Sequence, residues 1–360
     1  MKLFSFNLHI AVISDITNIL KDLYGDKVEI IDWNISDQYW LFYKDRKDVK
    51  HINQQTWKNI DQDMINRFVN EYQDYLSQFD GFIVTHTPVF SLLYESFNKP
   101  IFMINSCRYE QPFSFKENND IRKWYNLNIK LKQMHEKGQL IVISNNKADQ
   151  EYLRIGTGIE SMYIPSLCLY TNAKYNPHTD KYIVYSDSPF LRKTEAMIPR
   201  YYFSGHHYTW EQLYTCRGII HMPYEISTMS IFEQYSANIP LFFPSKNFIK
   251  QLVATGNYFL CSRYIKFDSH LKLQKVFPKN LEPAMNDVSW INWWIDKSDF
   301  YRDDCDMQHI IYFNSMDELD YLLNTIDTRV ISERMRQHNI IRKNKVYNSW
   351  KEIMDKYIYI

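Results

Sequence analysis

Short apolar runs alternate with longer amphipathic stretches along this chain, the pattern left by strands and helices when a parallel sheet is covered on both faces. KLFSFN (residues 2–7) reads as a strand and residues 10–24 as a helix ending near Gly25. VEIIDW (28–33) is a second strand, and 62–79 is helical, with apolar residues recurring at steps of three and four. GFIVTH (81–86), PIFMIN (100–105) and LIVIS (140–144) continue the strands; a helix at NKADQEYLR and the run MYIPS (162–166) follow. The texture then changes. YTNAKYNPHTDK (170–181) is polar, contains a proline and has no periodicity, so it is expected to be a linker. A second alternation begins after it: YIVYS (182–186), a helix near Lys193, YYFSG (201–205), GIIHM (218–222) and IPLFFP (239–244). IIYFNS (310–315) comes late, and the remainder is mostly helical. Two open parallel sheets joined by a short linker are predicted, an α/β chain with ligands at the carboxyl ends of its strands, in a cleft between the sheets.

A length of 360 residues exceeds one ordinary core and fits two domains. Hydrophobic residues make up 45% and charged residues 23%, a globular balance. Lys plus Arg (42) equal Asp plus Glu (42), which argues against nucleic acid as a partner but leaves room for a local phosphate site. The five cysteines, 107, 168, 216, 261 and 305, are dispersed without C-x-x-C spacing, as expected of free thiols in a reducing, cytoplasmic setting. No apolar run reaches the roughly 18 residues that cross a bilayer, and MKLFSFNLHIAVIS is better read as a buried first strand than as a signal peptide. Gly (8) and Pro (12) are scarce while Tyr (28) and Phe (22) abound, a bias that an AT-rich genome explains better than sugar stacking does.

The stretch HMPYEISTMSIFEQYSANIPLFFPS (221–245) concentrates the chemistry. GIIHM is a strand, PYEIST the loop at its carboxyl end, and SIFEQYSAN a helix. Ser227, Thr228 and Ser230 are all able N-caps. The first N–H groups of such a helix, together with its dipole, suit a phosphate. Glu225, in the loop, is placed to accept hydrogen bonds from sugar hydroxyls, and Glu233, one turn into the helix, from a ribose. The plainer alternatives are that Glu225 is a solvated loop residue and that Ser230-x-x-Glu233 is a capping box.

The spacing P-x-E-x7-E, followed by a small-residue helix and I-P, resembles the E-x7-E signature of retaining glycosyltransferases of the GT-B fold, glycosyltransferase family 4 in particular. Pro223, Glu225, Glu233, Ala237 and Pro240 match, with Asn238 where glycine is usual. DGFIVTH (80–86) resembles the family's D-x-V-x-x-H strand end, LIVISNNKADQEYL with GIESMYIPS its closing segment of the first domain, and SWKEIMDKYI (349–358) its final crossing helix. The resemblance spans nearly the whole chain, in order. It implies a Rossmann-like acceptor domain over 1–170, a linker over 171–181, a Rossmann-like nucleotide-sugar domain over 182–343, and a helix over 344–360 returning to the first domain. Two departures stand out. The family's Arg and Lys, five residues apart, are here the adjacent Arg192 and Lys193, and the glycine-rich loop after the first strand is replaced by Asn7, Leu8 and His9.

What the resemblance implies is transfer of a sugar from a nucleotide-diphosphate sugar, such as a UDP- or GDP-sugar, to a glycan, lipid or protein acceptor, with retention and without a metal or other cofactor. Arg192, Lys193 and the helix start at Met229 and Ser230 would neutralise the leaving diphosphate. Glu225 would orient the sugar, and His86 would touch it through a ring nitrogen or its backbone carbonyl. Gly205 and His206, in SGHHYTW, fall where such folds seat the nucleotide base. Asn7, His9 and Arg108 are the acceptor-side candidates. For His9 the plainer reading is a packed helix-start histidine, ahead of acceptor contact and, in a rival inverting chemistry, a general base; Arg108 is equally a surface loop arginine. The triplets at Asp61/Asp63 and Asp304/Asp306 read as a helix cap and a polar loop rather than metal sites, and WINWWIDKSDFY (290–301) as a packing helix. Other functions left open are a GT-B epimerase or hydrolase acting on the nucleotide sugar, and a silent carbohydrate-binding or assembly protein.

Overall fold

The computed structural model describes residues 1–36, 46–114, 120–185, 191, 194–199, 209–255, 287–302, 304 and 306–357. The chain divides between Ser166 and Leu167, and again between Lys345 and Val346 inside its last helix, so that the C-terminal residues belong with the first unit.

In the first unit the strands are β1 (Lys2–Asn7), β2 (Glu29–Asn34), β3 (Gly81–Thr85), β4 (Ile101–Asn105), β5 (Leu140–Ser144) and β6 (Met162–Tyr163). They form one sheet in the order β2-β1-β3-β4-β5-β6, parallel throughout. Every residue of β3, β4 and β5 is buried, which is why these strands read as unbroken apolar runs rather than alternating ones. Helix α1 (Ile10–Tyr24) buries Ile13, Ile16 and Leu20. Helix α2 (Gln62–Leu76) starts at Asp61, whose carboxylate accepts the Met64 N–H at 2.8 Å, so the first D-x-D triplet is a helix cap. Asp120 and Asn146 cap α3 (Ile121–Glu136) and α4 (Lys147–Thr157) in the same way. The C-terminal residues of the chain close this unit: Trp350, Ile353 and Met354 are buried, and the Tyr347 hydroxyl donates to Asp22 at 2.6 Å.

The second unit carries β7 (Tyr182–Val184), β8 (Met197–Pro199), α5 (Trp210–Leu213), β9 (Gly218–Ile220), α6 (Met229–Ser236), β10 (Leu241–Pro244) and α7 (Lys246–Ala254). It ends with α8 (Asp287–Lys297), β11 (Ile311–Phe313), α9 (Met316–Thr325) and most of α10 (Thr328–Tyr357). Its five strands are again parallel, in the order β11-β10-β9-β7-β8. Two Rossmann-like units with parallel sheets are thus present, as the GT-B resemblance implies for the fold.

One sequence expectation is corrected here. The stretch 170–181 is no free linker: the N–H groups of Tyr175, Asn176 and His178 bond to Ala237 O, Tyr214 O and Thr215 O of the second unit at 3.1, 3.1 and 2.7 Å. Strand β8 has no counterpart among the expected strands; the run YYFSG, read as a strand, lies outside the described residues, as does the helix expected near Lys193. Helix α8 packs on α7 with Trp294 and Ile295 buried. Asp304 is paired with Arg302, and Asp306 with Arg342 at 3.3 Å and Lys345 at 3.6 Å.

Candidate functional site

In the first sheet β1 is flanked by β2 on one side and β3 on the other, so the chain reverses direction between the carboxyl ends of β1 and β3. Open α/β sheets bind ligands at such a reversal, outside the carboxyl ends of the strands. His9 follows β1 and His86 follows β3, and their rings stack with centroids 5.1 Å apart and planes 20° apart. His86 has a φ of 61°, a left-handed backbone that a non-glycine residue adopts at a cost of order 1–2 kcal/mol. Cys107, after β4, holds that backbone through a contact of 3.0 Å from Sγ to His86 O. His86 Nδ1 lies 3.2 Å from the Thr87 hydroxyl.

The remaining first-unit candidates are enclosed. Asn7 has no exposed surface and donates its amide to Asp32. Arg108 is not a surface loop arginine: it is 6% exposed, with its guanidinium 3.7 Å from the equally buried Asp149. Beside it Glu110 is 2% exposed, and burial pushes its carboxyl up to about 7, against the opposing pull of Ser114, Arg108 and Tyr152.

The second sheet repeats the reversal between β7 and β9. After β9 the chain runs through Glu225 to Thr228, the N-cap of α6. The Thr228 side chain makes no hydrogen bond to the first turn; its hydroxyl lies 3.0 Å from that of Ser230. No acidic residue occupies that turn. By contrast α2, α3, α4, α5, α7 and α9 are all capped by a side chain. Among the α-helices whose N-cap is described, α1 also starts without such a bond, at His9 after β1, on the first-strand side of its reversal. Both helices that begin at a reversal point therefore keep their N-terminal donors off their own caps.

Glu233 is not a capping-box residue. One carboxylate oxygen accepts from the Tyr170 hydroxyl and the other from Trp210 Nε1 at 3.1 Å. A true capping box occurs earlier, between Thr209 and Gln212. Glu225 is partly exposed, and one of its oxygens accepts the Ile226 N–H at 3.0 Å. Behind the loop, His221 Nε2 bonds Gln234 Oε1 at 2.5 Å, and its ring stacks on Phe243. Complete burial drives its pKa down to about 4, although the Gln234 bond opposes that shift, so it is a neutral packing group at neutral pH.

Helix α6 ends in a Schellman motif, with Asn238 N–H to Tyr235 O at 3.0 Å and Ile239 N–H to Gln234 O at 3.2 Å. Asn238 takes the left-handed position with φ 65°, which explains why glycine suits the same place in the resembling pattern.

The structure therefore gathers Glu225, Ser227, Thr228, Met229, Ser230 and Glu233 on one loop and helix, and stacks His9 on His86 beside the reversal of the first sheet. Arg192, Lys193, Gly205 and His206 lie outside the described residues. Sequence reading missed Tyr170 and Trp210, whose 63- and 23-residue separations from Glu233 leave no local pattern. Among the described residues no cluster of His, Cys, Asp and Glu could hold a metal, and no helix is long and apolar enough to cross a membrane.

No protein-family model matches the chain, and no curated protein matches it in sequence. Among solved structures, HepE from Anabaena, in complex with UDP and glucose, aligns over 99% of this chain and 100% of its own, with 10% identity and a TM-score of 0.51. The glycosyltransferase SnogD from Streptomyces nogalater aligns over 98% and 99%, with 10% identity and a TM-score of 0.44. A UDP-N-acetylglucosamine 2-epimerase from Listeria monocytogenes covers 68% of this chain and 79% of its own, with 11% identity and a TM-score of 0.42. At this level of identity the likeness to HepE establishes a shared two-unit fold.

Proposed function

We propose that the protein is a glycosyltransferase that moves a sugar from a nucleotide-diphosphate sugar to an acceptor hydroxyl, with retention of configuration, in the manner of glycosyltransferase family 4. One observation carries the reading: α6 begins at the reversal point of its sheet, with no side-chain hydrogen bond from its N-cap and no acid in its first turn, between Glu225 and Glu233. That arrangement favours a dianionic diphosphate over water at the helix tip. The fold shared with HepE, whose structure is in complex with UDP and glucose, is in keeping with it.

In the proposed reaction the bond from the anomeric carbon to the diphosphate oxygen breaks while a bond to the acceptor oxygen forms on the same face. The acceptor's proton passes to the departing phosphate. The α6 terminus, with Lys193 and Arg192, stabilises the negative charge that grows on the leaving group. Glu225 accepts from sugar hydroxyls and Glu233 from the ribose. The working setting is proposed to be the cytoplasm, with a glycan, lipid or protein as acceptor.

Thermal-shift measurements against UDP, GDP and their sugars are expected to give a rise in melting temperature with one base. NMR of the products is expected to show a new glycosidic bond only when acceptor is added; turnover of the sugar nucleotide without acceptor would indicate an epimerase or hydrolase instead. Glu225→Ala and Lys193→Ala are each expected to lower turnover about 100-fold or more with the fold intact by circular dichroism. Wild-type rates in both would remove the assignment.

A further inference from the structure

We propose that Tyr170 and Trp210 form an aromatic clamp that positions Glu233 to read the ribose diol of a nucleoside diphosphate. This inference rests on the nucleotide-sugar reading above and adds two residues to it.

The clamp is assembled from three separate segments. Tyr170 lies in a short 3-10 turn, Leu169–Thr171, bracketed by Cys168 at φ 54° and Asn172 at φ 50°. Two left-handed excursions at non-glycine residues, one on each side of the turn, are costly, and they persist only where surrounding contacts impose them. Cys168 is fully buried, with its Sγ 3.9 Å from Met229 O in the first turn of α6, which ties the strained turn to that helix. Trp210 opens α5, where the Thr209–Gln212 capping box fixes the start. Its ring meets that of Tyr170 edge-on, with centroids 5.9 Å apart and planes at 67°. The phenol hydroxyl and the indole N–H each donate to a different oxygen of Glu233.

The consequence is geometric. A carboxylate on a helix surface rotates about three side-chain torsions. Two donors from rigid rings, one to each oxygen, fix the plane of the group. A ribose diol then meets an acceptor already oriented, without the loss of freedom that ordering a mobile glutamate would entail. All three side chains are only partly buried, so the carboxylate stays within reach of a solute.

The test uses the full-length protein and isothermal titration with UDP, GDP and ADP, each beside its 2′,3′-dideoxy analogue. Wild type is expected to bind one ribonucleotide more tightly than its dideoxy partner. Tyr170→Phe keeps the ring and Trp210→Phe keeps an aromatic ring, smaller than the indole, and each removes one donor. Each is expected to weaken the ribonucleotide about fivefold, the worth of one ordinary hydrogen bond, while dideoxy affinity stays put. If ribo and dideoxy ligands weaken together, the pair merely supports the fold and the inference falls. It falls too if the ribonucleotide is unaffected in both variants, or if wild type does not discriminate the sugars, although nucleotide binding itself would then stand. If wild type binds no nucleoside diphosphate, the functional reading fails and this inference with it.

Discussion

Burial moves two ionisable side chains in ways that give them opposite pH dependence, one in each unit. His221 has its pKa lowered from 6.5 to about 4 by desolvation, so as pH falls below 6.5 the unfolded chain takes up a proton that the folded chain refuses. The second unit's stability therefore declines between pH 6.5 and about 4, and the contribution is fully present above that window. Glu110 has its pKa raised from 4.5 to about 7, chiefly by desolvation, so the folded chain keeps a proton that the unfolded chain loses as pH rises. Its contribution is whole below pH 4.5 and is lost as pH climbs through 7, a difference of about 3 kcal/mol at the alkaline end. Glutamine is close in shape to a protonated glutamic acid. Glu110→Gln is thus expected to leave urea unfolding unchanged near pH 4.5 and to stabilise the first unit by about that amount near pH 8. Equal effects at both pH values would mean that the carboxyl does not titrate in this window. Neither side chain announces its burial in the sequence, because Arg108-Tyr-Glu110 looks like any polar loop after a strand.

At the level of elements, the sequence is most legible where a strand is buried on both faces. The apolar runs of β1, β3, β4 and β5 stand out, and their observed limits fall within a residue or so of the expected ones. Strand β8 shows the opposite case. It is three residues long, lies at the sheet edge and ends in Pro199, so it leaves no periodicity, and its proline is tolerated because one side of an edge strand needs no donor. Helix α6 was legible, but its cap was not: several hydroxyl residues in succession offer equal N-caps on paper, and only the backbone settles on Thr228. Its far end allows a sharper test. Asn238 in the left-handed region also accepts from Asn339 Nδ2 at 2.8 Å. Asn238→Val, whose branched side chain resists that backbone, is expected to cost about 1–2 kcal/mol in urea unfolding. Asn238→Gly trades the Asn339 contact for backbone ease and is expected to lie within about 0.5 kcal/mol of wild type. A valine variant as stable as the glycine one would mean that the left-handed turn does not constrain this helix end.

Each sheet reverses its strand order beside its first strand, and an α-helix without a side-chain cap begins on one flank of each reversal: at His9 after the first strand β1 in one unit, and at Thr228 after β9, the neighbour of the first strand β7, in the other. The fold class was legible because alternation of strands and helices fixes it. The candidate residues were legible only where they lie close together in sequence, as Glu225 and Glu233 do. Tyr170, Trp210 and the His9–His86 stack depend on strand order, which no local pattern encodes. If the α6 terminus is where a nucleotide diphosphate binds, ligand should act locally. Binding lowers the opening probability of the segments that touch it and scarcely alters buried strands elsewhere. Hydrogen exchange with the nucleotide that gives a thermal shift is therefore expected to slow at residues 226–231 and 168–171. Strands β4 and β5, each buried along its full length, should exchange at unchanged rates. Protection that spares 226–231 while appearing at other loops would place the anion elsewhere, and the uncapped start of α6 would then be a feature of packing alone.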